Sequence, residues 1–385
     1  MSIVPYRAEP KIQKRKFCPW LLQYEGSPPT SKSPSPKESS PKESSPKESS
    51  PHEQTAPLEP TELEADEGNI ADNDSALGEN DAGSSTASIA SSIYKFRIEN
   101  GRSYHAYKDG IYVGPNDNSE QDRLDLQHAL CLLTFDNQLY LAPIFQEGET
   151  PVKRVLDIGT GTGCWAIDFA DDHPEATVIG IDLSPIQPAF VPPNVEFQID
   201  DVEEDWTFSE PFDYIYTRFM TVSLANWPRF FGQSFTNLNP GGWMEVVDIL
   251  PPTSDDGTMA PETALYQWSK LLLEATEKMG RPFGETMTYK TQMEAAGFQN
   301  VTQRVFKWPQ NRWPREQKYK ELGSWTLENI SSGLDGISSA LFTRVLGWSK
   351  PQLDVFLTDV RKDLKNPSIH AYWPIYVICG QKPQE

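Results

Sequence analysis

The apolar positions of residues 152–182 follow the pattern of a strand, a helix and a second strand. Residues 152–158 form a short apolar run, which is typical of a buried strand. In residues 164–170 the apolar side chains recur three and four positions apart, which predicts a helix. Residues 177–182 form a second apolar run. The order predicts a βαβ unit with parallel strands.

The alternation of strands and helices continues towards the C-terminus. The sequence predicts an amphipathic helix at 229–238, a turn at 239–242, and further helices near 261–279 and at 293–298. The predicted strands are 152–158, 177–182, 194–201, 212–218, 243–249, 301–308 and 372–380. The last two resemble a closing hairpin-like pair. The pattern predicts an α/β fold around a mostly parallel sheet.

The first quarter of the chain has a different composition. Residues before about Ser92 are rich in Ser, Pro, Glu and Lys, and residues 36–50 contain three tandem copies of Pro-Lys-Glu-Ser-Ser. Such a segment lacks the apolar surface that would offset its conformational entropy. We therefore expect a disordered tail over 1–92 and one folded domain over 93–385.

Charge and cysteine usage exclude several classes of protein. The formal net charge of -21 argues against broad binding to nucleic acid, which needs a basic surface. The four cysteines, Cys18, Cys131, Cys164 and Cys379, have no metal-site spacing. No secretory signal or membrane-length apolar run is visible, so we expect a soluble intracellular protein. The basic cluster at 11–16 leaves cytoplasm and nucleus both open.

The strongest chemical signal is the sequence Gly-Thr-Gly-Thr-Gly at 159–163. It lies between the first predicted strand and the following helix. Glycine lets a backbone approach a ligand closely, and the helix start offers free N–H groups. Asp182 and Leu183 follow the second strand, where a carboxylate can accept two hydrogen bonds from a ribose diol. A nucleotide-containing ligand is therefore expected here.

The glycine spacing distinguishes between cofactors. Dinucleotide-binding loops use GxGxxG, whereas this loop is GxGxG and has Cys164 where the last glycine of GxGxxG would fall. Asp157 also stands two residues before the first glycine. This spacing disfavours a nicotinamide-dependent oxidoreductase.

The pattern Asp157-x-Gly159-x-Gly161-x-Gly163 resembles the first motif of class I methyltransferases, which use S-adenosyl-L-methionine. The resemblance implies a Rossmann-like fold with a seven-stranded, mostly parallel sheet. It also implies that Asp157 lies near the amino-acid end of the cofactor and that Asp182 binds the ribose. By the same resemblance, Asp201 and Val202, after the third strand, contact the adenine. A solvated acidic turn is the alternative for these last two.

A closer similarity is to the fungal LaeA-like methyltransferases. It rests on residues 100–107, 110–112, 115–117 and 120–128, and continues in 165–168, 182–188 and 369–372. Gly-Thr-Gly stands where LaeA itself typically has Gly-Cys-Gly, which favours a paralogue. The resemblance implies either methylation of a small molecule in secondary metabolism, or a nuclear regulator that works with velvet-family proteins.

The resemblance also divides the folded domain. We expect a helical N-terminal lid at 93–150, a cofactor-binding core at 151–250, and C-terminal helices and closing strands at 251–385. Arg123 on the lid helix is a candidate partner for the methionine carboxylate, with a surface salt bridge as the alternative.

The acceptor chemistry is less defined by the sequence. Methyl transfer from a sulfonium needs positioning, and it needs a base only when the acceptor must lose a proton early. The candidate bases are His105, His128 and His370, for each of which a structural role is the alternative. Aromatic residues that could line the acceptor pocket, or pack ordinarily, are Tyr104, Tyr107 and Tyr112.

Overall fold

The computed structural model describes residues 96–105, 113–146 and 151–384. The predicted tail at 1–92, with its repeats and basic cluster, lies outside these residues. So do Tyr107 and Tyr112.

The described chain forms nine strands and seven α-helices. The strands are β1 (Arg97–Glu99), β2 (Arg102–Tyr104), β3 (Arg154–Ile158), β4 (Thr177–Asp182), β5 (Val195–Ile199), β6 (Phe212–Arg218), β7 (Leu238–Ile249), β8 (Gln299–Pro309) and β9 (Tyr372–Gln381). The helices are α1 (Asn118–Thr134), α2 (Cys164–Asp172), α3 (Trp227–Thr236), α4 (Ala264–Lys278), α5 (Tyr289–Ala296), α6 (Gln317–Ala340) and α7 (Lys350–Lys365). A 3-10 turn (Phe283–Thr288) precedes α5, and a π-helical segment (Leu341–Val345) follows α6.

Seven strands form one sheet in the order β5-β4-β3-β6-β7-β9-β8. The first five are parallel, and β9 pairs antiparallel with both β7 and β8. The prediction of an α/β fold with a seven-stranded, mostly parallel sheet is confirmed. The strand order reverses direction between β3 and β6, which opens a crevice at the carboxyl ends of these strands.

Both faces of the sheet are covered by helices, because the central strands are apolar on both sides. On one face, Trp165 of α2 stacks on Tyr216 of β6 with ring centroids 3.9 Å apart. On the other, Trp227 of α3 packs on Tyr289 of α5 at 4.1 Å. These layers hold β3 and β6 rigidly, so the residues at the ends of both strands have defined positions.

The sequence predicts a turn at 239–242 that comes before the strand, and this prediction is wrong. These residues belong to β7, which pairs with β6 through a register shift between Phe212 and Tyr214. Gly241 has a φ of 79°, and a Cβ on Gly242 would lie 2.9 Å from the carbonyl oxygens of Asn239 and Asp213. The Pro-Gly-Gly sequence therefore lies in an irregular part of the strand, where β7 has three more residues than the facing part of β6.

No helix in the part of the chain that the structure describes is long and apolar enough to span a membrane. Within 96–105, 113–146 and 151–384, no cluster of His, Cys, Asp and Glu side chains has the grouping of a metal site.

Candidate active site

A cavity of about 280 Å³ lies at the crevice between β3 and β6. The glycine loop, the ends of β4 and β6, and α1 contribute its more polar wall. Residues from α4, α6 and β9 contribute an apolar wall. The cavity therefore has two ends of different chemistry, and each can hold a different part of a ligand.

The glycine loop bends tightly because its three glycines all have positive φ. The angles are 69° at Gly159, 56° at Gly161 and 83° at Gly163. Gly163 is the N-cap of α2, and a Cβ on it would collide with the ring of Phe197. The loop thus needs glycine both for its backbone conformation and for its close approach to β5.

Asp182 closes the loop from the end of β4. Its carboxylate accepts hydrogen bonds from the backbone N–H groups of Gly161 and Ser184, each at 2.9 Å. Burial raises the pKa of Asp182, while these backbone bonds act in the opposite direction. Gln187 donates to the carbonyl of Gly161 at 2.7 Å. The Asp182 carboxylate is held at the cavity wall, beside Leu183, which also lines it.

Asp157 lies beneath the loop and also lines the cavity. It accepts a hydrogen bond from the hydroxyl of Thr160 at 2.6 Å. Burial raises the pKa of Asp157 to about 7, and the Thr160 hydroxyl and the Arg218 guanidinium both oppose this rise. The side chain therefore changes charge near neutral pH in the free protein.

Asp201 and Val202 line the cavity just after β5. The Asp201 carboxylate accepts the N–H of Glu203 at 2.9 Å, and the carbonyl of Val202 accepts the indole N–H of Trp206 at 3.0 Å. Both residues are buried. The structure thus brings the acids at the carboxyl ends of β3, β4 and β5 to one cavity.

Arg123 on α1 reaches the same cavity but already has a carboxylate partner. Its guanidinium donates to Glu120, with the shortest contact at 2.6 Å, and to the Asn329 side chain of α6 at 3.0 Å. The bond to Asn329 ties α1 to α6. Pairing with a ligand carboxylate would compete with Glu120.

The three histidines do not meet, and none of them is among the described residues that line the cavity. His105 is buried next to the undescribed stretch 106–112. His370 bonds Asp256 at 2.6 Å and packs on Trp313, with ring centroids 5.0 Å apart. Tyr104 is buried with the Arg344 guanidinium over its ring.

His128 is engaged at both ring nitrogens. Its Nε2 lies 2.9 Å from Asp168, and its Nδ1 lies 3.2 Å from a guanidinium nitrogen of Arg218. Arginine can only donate, so Nδ1 accepts and Nε2–H donates. Burial lowers the pKa of His128. The ring therefore acts as a neutral link between Arg218 and Asp168.

The apolar wall of the cavity was missed by the sequence reasoning. It consists of side chains that are far apart in the chain: Ile249, Trp268, Leu272, Phe283, Ile330, Ile337, Leu341 and Trp373. No local pattern distinguishes these positions from ordinary core residues. They line a pocket because α4 and α6 pack over the end of the sheet.

Comparison with known proteins shows which family the sequence of this chain resembles. A family model described as a methyltransferase domain matches residues 126–303. Methyltransferase pytC of Aspergillus terreus is 40% identical over 305 residues, covering 79% of this chain and 93% of that protein.

Two further relatives carry different descriptions. A probable methyltransferase, tdiE, of Emericella nidulans is 38% identical and covers 77% of this chain and 92% of its own length. Secondary metabolism regulator LAE1 of Cochliobolus heterostrophus is 36% identical and covers 75% of this chain and 95% of its own length.

Proposed function

Because this chain belongs to the LaeA-like S-adenosylmethionine-dependent methyltransferases, we propose that it methylates an apolar small molecule of fungal secondary metabolism. The observation that carries the proposal is the two-ended cavity. Its polar end has the loop and the acids that suit the cofactor, and its apolar end has room for an uncharged hydrocarbon or ring system.

The described residues fit the cofactor group by group. Asp182, at the end of β4, is suited to the ribose diol and Asp157 to the ammonium of the methionine end. Asp201 and Val202 are suited to the adenine, and Leu183 lines the same cavity. The glycine loop leaves open space at Gly161, where a Cβ would have one neighbour, at 3.5 Å. When bound, the cofactor supplies a methyl group on a positively charged sulfur.

The chain's own contribution is to orient the acceptor and to exclude water. The apolar wall removes water from the acceptor, and the loop at 219–224 lines the cavity between this wall and the glycine loop. Positive φ angles at Phe219 and Val222 shape the loop. It is held by Arg281, which donates to the Ser223 carbonyl and pairs with Glu203 at 2.6 Å. This linkage ties the loop to Glu203 in the turn after β5.

A second candidate function is a nuclear regulator that works with velvet-family proteins. It is supported by the similarity to the regulator LAE1 and by the basic cluster at 11–16. In that case the methyl acceptor is a protein or is absent.

One transfer experiment separates the two functions. The full chain is incubated with methyl-tritiated cofactor and either an organic extract or a protein extract of the source cells. We expect label in the organic phase. Label confined to precipitated protein favours the regulator. A folded chain that does not bind S-adenosylhomocysteine in calorimetry contradicts both catalytic functions.

Cofactor binding should depend on pH through Asp157. If the carboxylate faces the cofactor ammonium, the bound state is ionised, so below pH 7 binding must release a proton. The apparent affinity for S-adenosylhomocysteine should then fall by up to about tenfold per pH unit below 7 and level off above it. Calorimetry between pH 5.5 and 8.5 measures this.

The Asp157→Asn variant is the control for this pH dependence. The pKa of Asp182 is also raised, so some slope remains in the variant. A slope equal to that of the wild type would mean that Asp157 does not carry the effect.

A substitution in the apolar wall should reduce methyl transfer without weakening cofactor binding. Ile337 is half-buried on α6 and lines the cavity, so Ile337→Trp should fill the acceptor end. We expect methyl transfer to fall at least about tenfold, while affinity for S-adenosylhomocysteine stays within about threefold. Val355→Trp, at a position 71% exposed on α7, is the matched control. Equal loss of transfer in both variants would contradict this prediction.

A further inference from the structure

Arg218 is the last residue of β6, and its side chain lines the cavity. Asp157 of β3 pairs in register with Tyr216, two residues before Arg218. Side chains two residues apart on a strand share a face, so Asp157, Tyr216 and Arg218 point to the same side of the sheet. Arg218 and Asp157 are close enough for each to shift the pKa of the other.

The partners of the Arg218 guanidinium are neutral. One nitrogen donates to Nδ1 of His128 at 3.2 Å, and the Cys131 thiol is close enough for the guanidinium to act on its pKa. Burial lowers the pKa of His128 and raises that of Cys131, so neither carries charge at neutral pH. In the part of the chain that the structure describes, no carboxylate oxygen forms an ion pair with Arg218 within 4.0 Å.

Arg123 differs from Arg218 because it has a carboxylate partner. Arg123 lines the same cavity, yet Glu120 neutralises it at 2.6 Å and Asn329 occupies another of its nitrogens. An arginine in a protein remains protonated, and a guanidinium held away from bulk water is costly unless an anion meets it. The fold therefore keeps one cation of the cavity paired and leaves the other facing the ligand space.

We propose that Arg218 binds a carboxylate, or an equally anionic oxygen group, of a small molecule in this cavity. The inference rests on the proposed function. Two sources share this chemistry: the methionine end of the cofactor and an acidic acceptor. The cofactor is favoured by the neighbouring Asp157, since an acid and a cation side by side match the ammonium and carboxylate that share one carbon atom. His128, oriented by Asp168, positions the guanidinium.

The experiment compares ligands that differ in one group. Calorimetry measures the affinities of S-adenosylhomocysteine and of 5′-methylthioadenosine, which lacks the amino-acid end. The proteins compared are the full-length wild type, Arg218→Met and Arg218→Lys. For the acceptor arm, 2-naphthoate and 2-naphthalenemethanol are titrated into protein saturated with S-adenosylhomocysteine. Arg154→Met, which changes an arginine at the other end of β3 that packs on Phe212, is the control.

If the cofactor carboxylate is the ligand, Arg218→Met lowers the affinity for S-adenosylhomocysteine by roughly 10- to 100-fold and leaves the affinity for 5′-methylthioadenosine within about threefold. The lysine variant keeps the charge and therefore loses less affinity. If the acceptor is the source, affinity for both nucleosides is unchanged and only 2-naphthoate loses affinity. In either case the Arg154 control behaves as wild type.

Two results would overturn the inference. The first is an equal loss of affinity for both nucleosides. The second is no loss of affinity for any ligand. A folded wild type that binds no S-adenosylhomocysteine would instead contradict the proposed function itself, and this inference would fall with it.

Discussion

Asp182→Ala is expected to weaken binding of S-adenosylhomocysteine by roughly 100-fold or more. If the carboxylate binds the ribose diol, two hydrogen bonds to a charged acceptor are lost, each worth about 1.5–3 kcal/mol. The substitution also removes the acceptor of the Gly161 and Ser184 N–H groups, so the loop loses its support. Calorimetry on purified full-length protein measures the effect.

The control for Asp182 uses the truncated ligand. Because 5′-methylthioadenosine keeps the ribose, Asp182→Ala should weaken its binding as strongly as the binding of S-adenosylhomocysteine. In this respect it should differ from Arg218→Met. Asp359→Ala, which removes an exposed carboxylate on α7, should leave both affinities unchanged. Wild-type affinity in a folded Asp182→Ala protein would exclude Asp182 from the cofactor site.

Gly163→Ala should have the largest effect on stability within the glycine loop. Alanine at a φ of 83° costs about 1–2 kcal/mol, and the collision of its Cβ with Phe197 adds about 1–3 kcal/mol. We expect the free energy of unfolding to fall by about 2–5 kcal/mol, with cofactor affinity lost as the loop moves. Urea unfolding monitored by tryptophan fluorescence tests this.

Gly161→Ala separates conformation from packing. It also has a positive φ, but its Cβ would contact Leu124 at an ordinary 3.5 Å. Its unfolding free energy should fall by only about 1–2 kcal/mol, which is the conformational part. Cofactor affinity should nevertheless drop, because the added methyl enters the cavity. Equal destabilisation of the two variants would show that contact with Phe197 does not matter.

The convergence of the glycine loop and Asp182 on one cavity was predictable because its signals are local. The loop at 159–163 and the acid at 182 lie in one βαβ unit, where a parallel pair joined by a helix brings the loop and the next strand's end together. Asp157 precedes the loop in the same strand. The alternation of strand and helix patterns likewise predicted the strands of the sheet. The exception is residues 239–242, which were predicted as a turn and belong to β7.

The remaining features depend on contacts between distant segments. Nothing near Arg123 in the sequence indicates that Asn329 meets its guanidinium. His128 has the side chain of a base, but packing against Asp168 and Arg218 makes it a neutral link. The role proposed for Arg218 likewise follows from which partners the fold places around it.

The sequence by itself determined the fold class and the glycine loop, because short-range geometry and glycine conformation decide both. The tertiary structure alone decided the apolar wall of the cavity, to which α4, α6 and β9 contribute. It also decided which charged groups of the cavity are already paired. Burial and ion pairing are properties of the packed chain, since they depend on long-range neighbours that no local pattern encodes.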